Sequence, residues 1–148
     1  MDIPVGLGIS GLAASIGVGL VFVTGGLAKF RSRALLEGVI ANYRVLPRRL
    51  IAPVAITLPY AELAIGAALI LGPGTVPVLA GIALLLAFAA AMAVNIRRGR
   101  THVDCGCGLS QLRQHLGWSL VARNLILAVL LVLRLAPMAP LSGAQVAA

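Results

Sequence analysis

The residues best suited to chemistry in this sequence are Cys105 and Cys107, separated only by Gly106. They are the only two cysteines in a chain of 148 residues. A thiolate is both a nucleophile and a ligand for soft metal ions, so the pair predicts thiol–disulfide exchange or soft-metal binding. Gly106 gives the backbone the freedom to bend that a small disulfide ring needs. Such a disulfide would be strained, and strained disulfides are oxidising and easily reduced.

A metal site is the alternative interpretation of the same segment. His102, Cys105 and Cys107 have the spacing His-x-x-Cys-x-Cys, and His115 follows. Soft thiolates favour copper-type ions, whereas a structural zinc site uses four ligands at wider spacing. We expect no metal, and keep a soft-metal carrier as the alternative to redox chemistry. A third interpretation is a non-catalytic membrane subunit with two structural thiols.

Glu62 is an ionisable residue in the middle of an apolar segment. It lies roughly 20 Å along a helix from Arg49, at 1.5 Å per residue. A carboxyl group at such a depth in a membrane is costly and normally faces the bundle interior with a partner. Glu62 is therefore predicted either to bind a quinone headgroup or accept a proton, or to lock the packing of the helices. The candidate partners are Tyr60, Thr24, Arg123 and Asn124.

Three further polar residues are candidates for the same cavity. Arg123 and Asn124 enter the last apolar segment, and Asn95 ends the one before it. Arg123 either extends to the lipid headgroups or faces inward, where it could hold a quinone carbonyl or stabilise a thiolate. With Glu62, these residues form the predicted cofactor-binding set.

These residues must be positioned by membrane-spanning helices. The chain is 60% hydrophobic and only 11% charged, against about 25% charged in soluble domains. About 20 apolar residues span a bilayer as a helix, and four such segments occur, at about 5–28, 51–71, 76–94 and 117–137. We predict a single all-α membrane domain with four transmembrane helices. The first segment is too long for a secretory signal, so we expect it to be retained.

A fifth, shorter helix is predicted between the first and second spans, at about 31–45. Its apolar residues recur at helical spacing among charged ones, which is typical of an amphipathic helix at the membrane interface. Two spans also carry small residues at four-residue spacing, which favours close helix packing or simply reflects composition. These stripes are Gly11, Ser15 and Gly19 in the first span and Ala83, Ala87 and Ala91 in the third.

The cations cluster in two connections, and the short connection between them is neutral. A net charge of +8 would suggest nucleic acid in a soluble chain, but cations beside spans meet lipid headgroups, so we predict no nucleic acid. Alternation of cationic and neutral connections places both cationic ones on one side of the membrane. By the positive-inside rule that side is the cytoplasm. The cations are Lys29, Arg31, Arg33, Arg44, Arg48 and Arg49 in the first connection, and Arg97, Arg98, Arg100 and Arg113 in the second, which is the dithiol loop at about 97–116.

Several strings of this sequence together resemble the methylamine-utilisation MauE family. The resemblance covers about Val18 to Leu133, and the dithiol string is its specific part. Other strings are shared more loosely with DoxX-like four-helix membrane proteins. Gly108 departs from the family, where many members have Phe. The strings are Gly26 to Phe30, Leu58 to Leu63, Asn95 to Arg100, Val103 to Gly108 and Trp118 to Asn124.

The resemblance implies a protein of the bacterial inner membrane that works with a thioredoxin-like partner. Its implied role is the maturation of a disulfide-rich extracytoplasmic protein such as methylamine dehydrogenase. The architecture is also similar to that of DsbB-type and vitamin K epoxide reductase enzymes, which pass electrons from thiols to a quinone. Those enzymes relay electrons through a second cysteine pair. This chain has none, so the relay must be the partner's dithiol.

The family role and the charge count disagree about the side of the dithiol loop. Extracytoplasmic disulfide chemistry requires Cys105 and Cys107 outside, whereas the cations indicate the cytoplasm. A strained, oxidising disulfide would not persist in a reducing cytosol. We therefore place the loop on the extracytoplasmic side, against the charge count.

Overall fold

The computed structural model describes residues 3–72, 74–103 and 115–135, and they form five helices. Four of the helices are long and apolar enough to cross a membrane. The prediction of an all-α, four-helix membrane bundle is confirmed, and a short helix follows the first span as expected. The helices are α1 (Ile3–Arg31), α2 (Arg33–Tyr43), α3 (Arg48–Leu71), α4 (Thr75–Arg97) and α5 (Trp118–Leu135).

The long helices form two closely packed pairs, α1 with α3 and α4 with α5, which are joined by contacts between α1 and α5. The pair α3 and α4 touches least among the neighbouring long helices, although only residues 72–74 separate them in the sequence. The four helices meet in one apolar core. That core contains Val18, Phe22, Leu69, Val78, Leu85, Ala128 and Leu131.

The small residues of α1 make the close approaches that their spacing predicts. The Ser15 hydroxyl donates a hydrogen bond of 2.8 Å to the Leu69 carbonyl of α3. A Cβ atom on Gly19 would lie 2.8 Å from the Gly66 carbonyl oxygen of α3, and one on Gly11 would lie 3.0 Å from the Leu133 carbonyl oxygen of α5. The Gly19 contact is too close for a side chain, and the Gly11 contact would accept one only if α5 moved by a few tenths of an ångström, so glycine lets α1 approach both neighbours.

The alanine stripe of α4 does not pack in this way, so the prediction of close helix contact is wrong for it. Ala83 is exposed, and Ala87 and Ala91 line a cavity. The side of α4 that is buried carries Leu85, Ala89 and Met92 instead. The alanine spacing therefore reflects the composition of the chain.

The short helix α2 runs along the bundle and covers the gap between α3 and α4. At its start, the Arg33 guanidinium lies 5.8 Å from the centre of the Tyr60 ring, about 18 Å along α3 from Arg48 at 1.5 Å per residue. At its end, the Arg44 carbonyl accepts a hydrogen bond from the Arg98 guanidinium. Leu36, Val39, Ile40 and Tyr43 of α2 line this gap.

Candidate functional site

The segment that carries the two cysteines begins and ends at one fixed point of the bundle. The Leu116 backbone N–H donates a hydrogen bond of 3.0 Å to the Thr101 carbonyl. The side chains of Val103 and Leu116 are buried together against Met92 of α4 and Val121 of α5. This contact pins both flanks of the segment over the adjoining ends of α4 and α5.

Cys105 and Cys107 themselves lie outside the described residues, as does everything from 104 to 114. In the sequence, Cys105 follows the anchored Val103 by two residues and Cys107 follows it by four. His102 and His115, the remaining members of the alternative metal set, are exposed.

The two cationic connections meet at this end of the bundle, as their alternation predicts. The Arg98 guanidinium, just after α4, donates a hydrogen bond of 3.2 Å to the Arg44 carbonyl, just after α2. This hydrogen bond links the dithiol connection to the end of α2. Arg44 itself has a φ of 49°, which lies in the left-handed region of backbone conformation that favours glycine.

Glu62 is buried in the bundle, and its partner is Lys29. The Lys29 ammonium lies 2.8 Å from Glu62 Oε1, and the two side chains are 9% and 3% exposed. The partners predicted from the sequence are wrong: Thr24 donates to carbonyls of its own helix, and Tyr60 is half exposed. The sequence places Lys29 among the cations of the first connection, but the structure shows it in the buried interior.

The surroundings of this ion pair are mostly apolar. The Lys29 ammonium also lies 5.5 Å from the centre of the Phe88 ring of α4, which is a favourable cation–π distance. Glu62 Oε2 is buried and accepts no hydrogen bond from any residue that the structure describes. The pair therefore ties α1 to α3, while its ammonium contacts α4.

The structure does not bring the other predicted polar residues to this pair. Arg123 is exposed on α5. Asn124 is buried, and its side-chain amide donates to the Leu120 carbonyl at 2.8 Å. Asn95 is fully buried: its amide donates to the Ala91 carbonyl, and its carbonyl oxygen accepts from Arg100. Asn95 therefore fixes the turn that leads into the dithiol segment.

A cavity of about 370 Å³ lies between α2, α3 and α4. Its wall is almost entirely hydrocarbon, with Lys29 near one end and Tyr43 and Met92 towards the dithiol segment. Among the described residues, none of the predicted set Glu62, Asn95, Arg123 and Asn124 lines it. Sequence reasoning missed this cavity. The apolar spacing on α2 was its one available signal.

The described residues also include no cluster of three or more histidine, cysteine, aspartate or glutamate side chains that could hold a metal ion. The cysteine pair lies outside this part of the chain. The copper-type alternative is therefore still a prediction.

Together these features define a multi-pass helical membrane protein with a cysteine pair on a pinned connection between its last two spans. The family model described as "Methylamine utilisation protein MauE" matches residues 7–137, and the chain belongs to this family. The resemblance stated from the motifs is confirmed. No solved structure matches the chain.

Curated relatives carry the same name. Methylamine utilization protein MauE of Paracoccus denitrificans is 45% identical over 119 residues, which are 80% of this chain and 64% of that protein. Its counterpart in Methylorubrum extorquens is 41% identical over 132 residues, 84% of this chain and 68% of that protein. The MauE protein of Methylophilus methylotrophus is 46% identical over 97 residues, which are 64% of this chain and 50% of that protein. The chain thus spans half to about two thirds of the length of these relatives.

Proposed function

We propose that this protein is a membrane thiol–disulfide redox protein whose Cys105–Cys107 pair exchanges with a thioredoxin-like partner. The exchange serves the maturation of a disulfide-rich extracytoplasmic protein. The names of the relatives refer to methylamine utilisation, so the proposed client belongs to that process, with methylamine dehydrogenase as the candidate.

One observation carries the proposal: both flanks of the cysteine segment are anchored, through Thr101, Val103 and Leu116, to the end of the bundle. A cysteine pair held there can meet a water-soluble protein at the membrane surface. Inert structural cysteines are usually buried in apolar surroundings. The described spans contain no cysteine.

The proposed exchange follows the chemistry of thiols. A partner thiolate attacks one sulfur of the Cys105–Cys107 disulfide and forms a mixed disulfide, and the other cysteine leaves as a thiolate. The second partner thiol then resolves the mixed disulfide. The partner loses two electrons and two protons and becomes oxidised, while the Cys105–Cys107 pair becomes a dithiol. The pair must then be reoxidised by an acceptor in the membrane, for which a quinone is the candidate.

The proposal includes a location for this chemistry. The cysteine segment lies on the extracytoplasmic side of the bacterial inner membrane, where a disulfide persists. The burial of Lys29 removes one cation from the set that argued for the cytoplasmic side, because that charge is paired with Glu62 and does not face the headgroups. The remaining arginines still oppose this placement.

Trapping the mixed disulfide tests the proposal. Thiol–disulfide exchange is reversible, so the one thiol left in Cys105→Ser or Cys107→Ser can attack the disulfide of the oxidised partner. The replaced cysteine would have resolved this mixed disulfide, so one of the two variants should accumulate a covalent complex with the partner that dithiothreitol releases. The double variant is the matched control and should form none. If neither single variant captures a partner and the isolated protein instead carries a copper mass at the pair, the soft-metal carrier replaces this proposal.

A further inference from the structure

We infer that the cavity between α2, α3 and α4 binds the ring of a membrane quinone, which accepts the electrons from the Cys105–Cys107 dithiol. This inference rests on the proposed function and names the place where the electron acceptor binds. It differs from the sequence prediction, which placed a quinone near Glu62, Arg123, Asn124 and Asn95.

The size and lining of the cavity restrict its ligand to an apolar molecule. Its volume of about 370 Å³ falls in the usual range for small-molecule sites, about 300–1,000 Å³. Its walls come from apolar side chains such as Leu36 of α2, Leu58 of α3 and Phe88 of α4. A sugar, a nucleotide or a hydrated ion would lose its hydrogen bonds to water there without replacement.

Lys29 selects for a neutral molecule that accepts hydrogen bonds. It is the one charged residue in the wall that the structure describes, and its ammonium group has three N–H donors. One of them is directed to Glu62 Oε1. Because Glu62 also balances the charge of Lys29, an anionic headgroup finds no net positive charge from this pair. A quinone carbonyl can accept a hydrogen bond without adding a charge.

The cavity lies next to the anchor of the cysteine segment. Tyr43 and Met92 line the cavity, and both pack in the cluster that contains Val103 and Leu116. Cys105 follows Val103 by only two residues in the sequence. The cavity therefore adjoins the point of the bundle at which the cysteine segment starts.

The electron balance also favours a quinone. When Cys105 and Cys107 form a disulfide, two S–H bonds are lost and one S–S bond forms, which releases two electrons and two protons. A quinone takes up both electrons, and its two carbonyl oxygens take up both protons to give a quinol. No further oxidant or reductant is needed for this step.

Filling the cavity is the direct test. The purified protein in detergent micelles is dialysed against decyl-ubiquinone, and binding is compared with that of decylbenzene, which has the tail but no carbonyls.

The cavity-filling variant is placed at Ala91, which lines the cavity. Its neighbour Ala90 is exposed and does not line the cavity, so it provides the control. Ala91→Phe should weaken quinone binding about tenfold or more because the added ring occupies the site. Ala90→Phe should leave binding within about twofold.

A second variant tests the role of Lys29. The double substitution Lys29→Met with Glu62→Leu removes the ammonium without leaving a buried carboxylate unpaired. It should weaken binding of decyl-ubiquinone about tenfold, through loss of a hydrogen bond from a charged donor, and leave binding of decylbenzene unchanged.

Three outcomes would overturn the inference: equal binding of the two probes, unchanged binding in Ala91→Phe, or no binding to a protein that still exchanges disulfides. Equal binding would assign the cavity to lipid or detergent chains. Exchange with the partner is measured on the same preparations. Loss of exchange in the double cysteine variant supports the proposed function. If the parent protein exchanges disulfides but does not bind quinone, only the assignment of the cavity is rejected.

Discussion

Lys29 and Glu62 form a buried ion pair, 2.8 Å between Nζ and Oε1, that joins α1 to α3 inside the bundle. Glu62 lies about 21 Å along α3 from Arg48, at 1.5 Å per residue. Charges at such a depth are retained when they are paired and serve packing or function. This pair does both in our interpretation, since it links two helices and directs an ammonium group to the wall of the cavity.

We predict that Lys29→Met destabilises the protein by about 3 kcal/mol, because it leaves a buried carboxylate without its partner. Adding Glu62→Leu should recover most of that loss, since an apolar pair of similar volume replaces a buried ion pair at little cost. The measurement is thermal unfolding in detergent. Arg31→Met is the control, because Arg31 is exposed two residues away. A single Lys29→Met variant as stable as the parent protein would contradict the prediction.

We predict that Gly19→Ala destabilises the contact between α1 and α3 by about 1–3 kcal/mol, the usual cost of forcing extra volume into a packed site. The new Cβ would lie 2.7 Å from Ile70 Cγ1 and 2.8 Å from the Gly66 carbonyl oxygen. Gly17→Ala is the matched control on the same helix, where a Cβ meets nothing within 4 Å. Thermal unfolding of both variants decides the matter. Equal midpoints would show that the crossing is not tight.

We predict that Leu116→Ala loosens the anchor of the cysteine segment. Leu116 is 3% exposed, and truncation of such a side chain costs about 2–5 kcal/mol of local packing. Transient opening should therefore become more frequent, and trypsin should cut the connection several-fold faster at its arginines. Leu125→Ala, at an exposed position of α5, should leave the rate unchanged. Identical cleavage of both variants would argue against the anchor.

We predict that Cys105 and Cys107 react with a membrane-impermeant maleimide from the outside of intact spheroplasts after mild reduction. They are the only thiols in the chain, so the Cys105→Ser, Cys107→Ser double variant gives the background. Labelling only in inverted vesicles would instead place the segment in the cytoplasm, as the arginines indicate, and would remove the extracytoplasmic client from the proposal.

The four spans could be predicted from the sequence because long apolar segments in a membrane have one stable form, the helix. The partner of Glu62 could not be predicted, because it depends on how far α1 is displaced along α3. Lys29 lies close to Arg31 and Arg33 in the sequence, and no periodic pattern of residues reports how far one helix is displaced along another.

The periodicity of α5 separates its buried positions from its exposed ones. Its buried residues are Val121, Asn124, Ala128 and Leu131, which recur at helical spacing. Asn124 lies in this series, whereas the adjacent Arg123 points elsewhere. The helical phase thus distinguishes a buried residue from an exposed one at neighbouring positions. The cavity is different, because it arises from the separation of α3 and α4, which no single segment encodes.

The contact between α3 and α4 is the loosest among the neighbouring long helices, whereas α1 with α3 and α4 with α5 pack closely. On this side of the bundle, α2 covers the cavity. Ser32 connects α2 to α1, and residues 44–47 connect it to α3. An apolar ligand of the cavity would therefore arrive from the hydrocarbon of the bilayer beside α2, whereas a water-soluble partner of the cysteine segment would arrive from the aqueous phase.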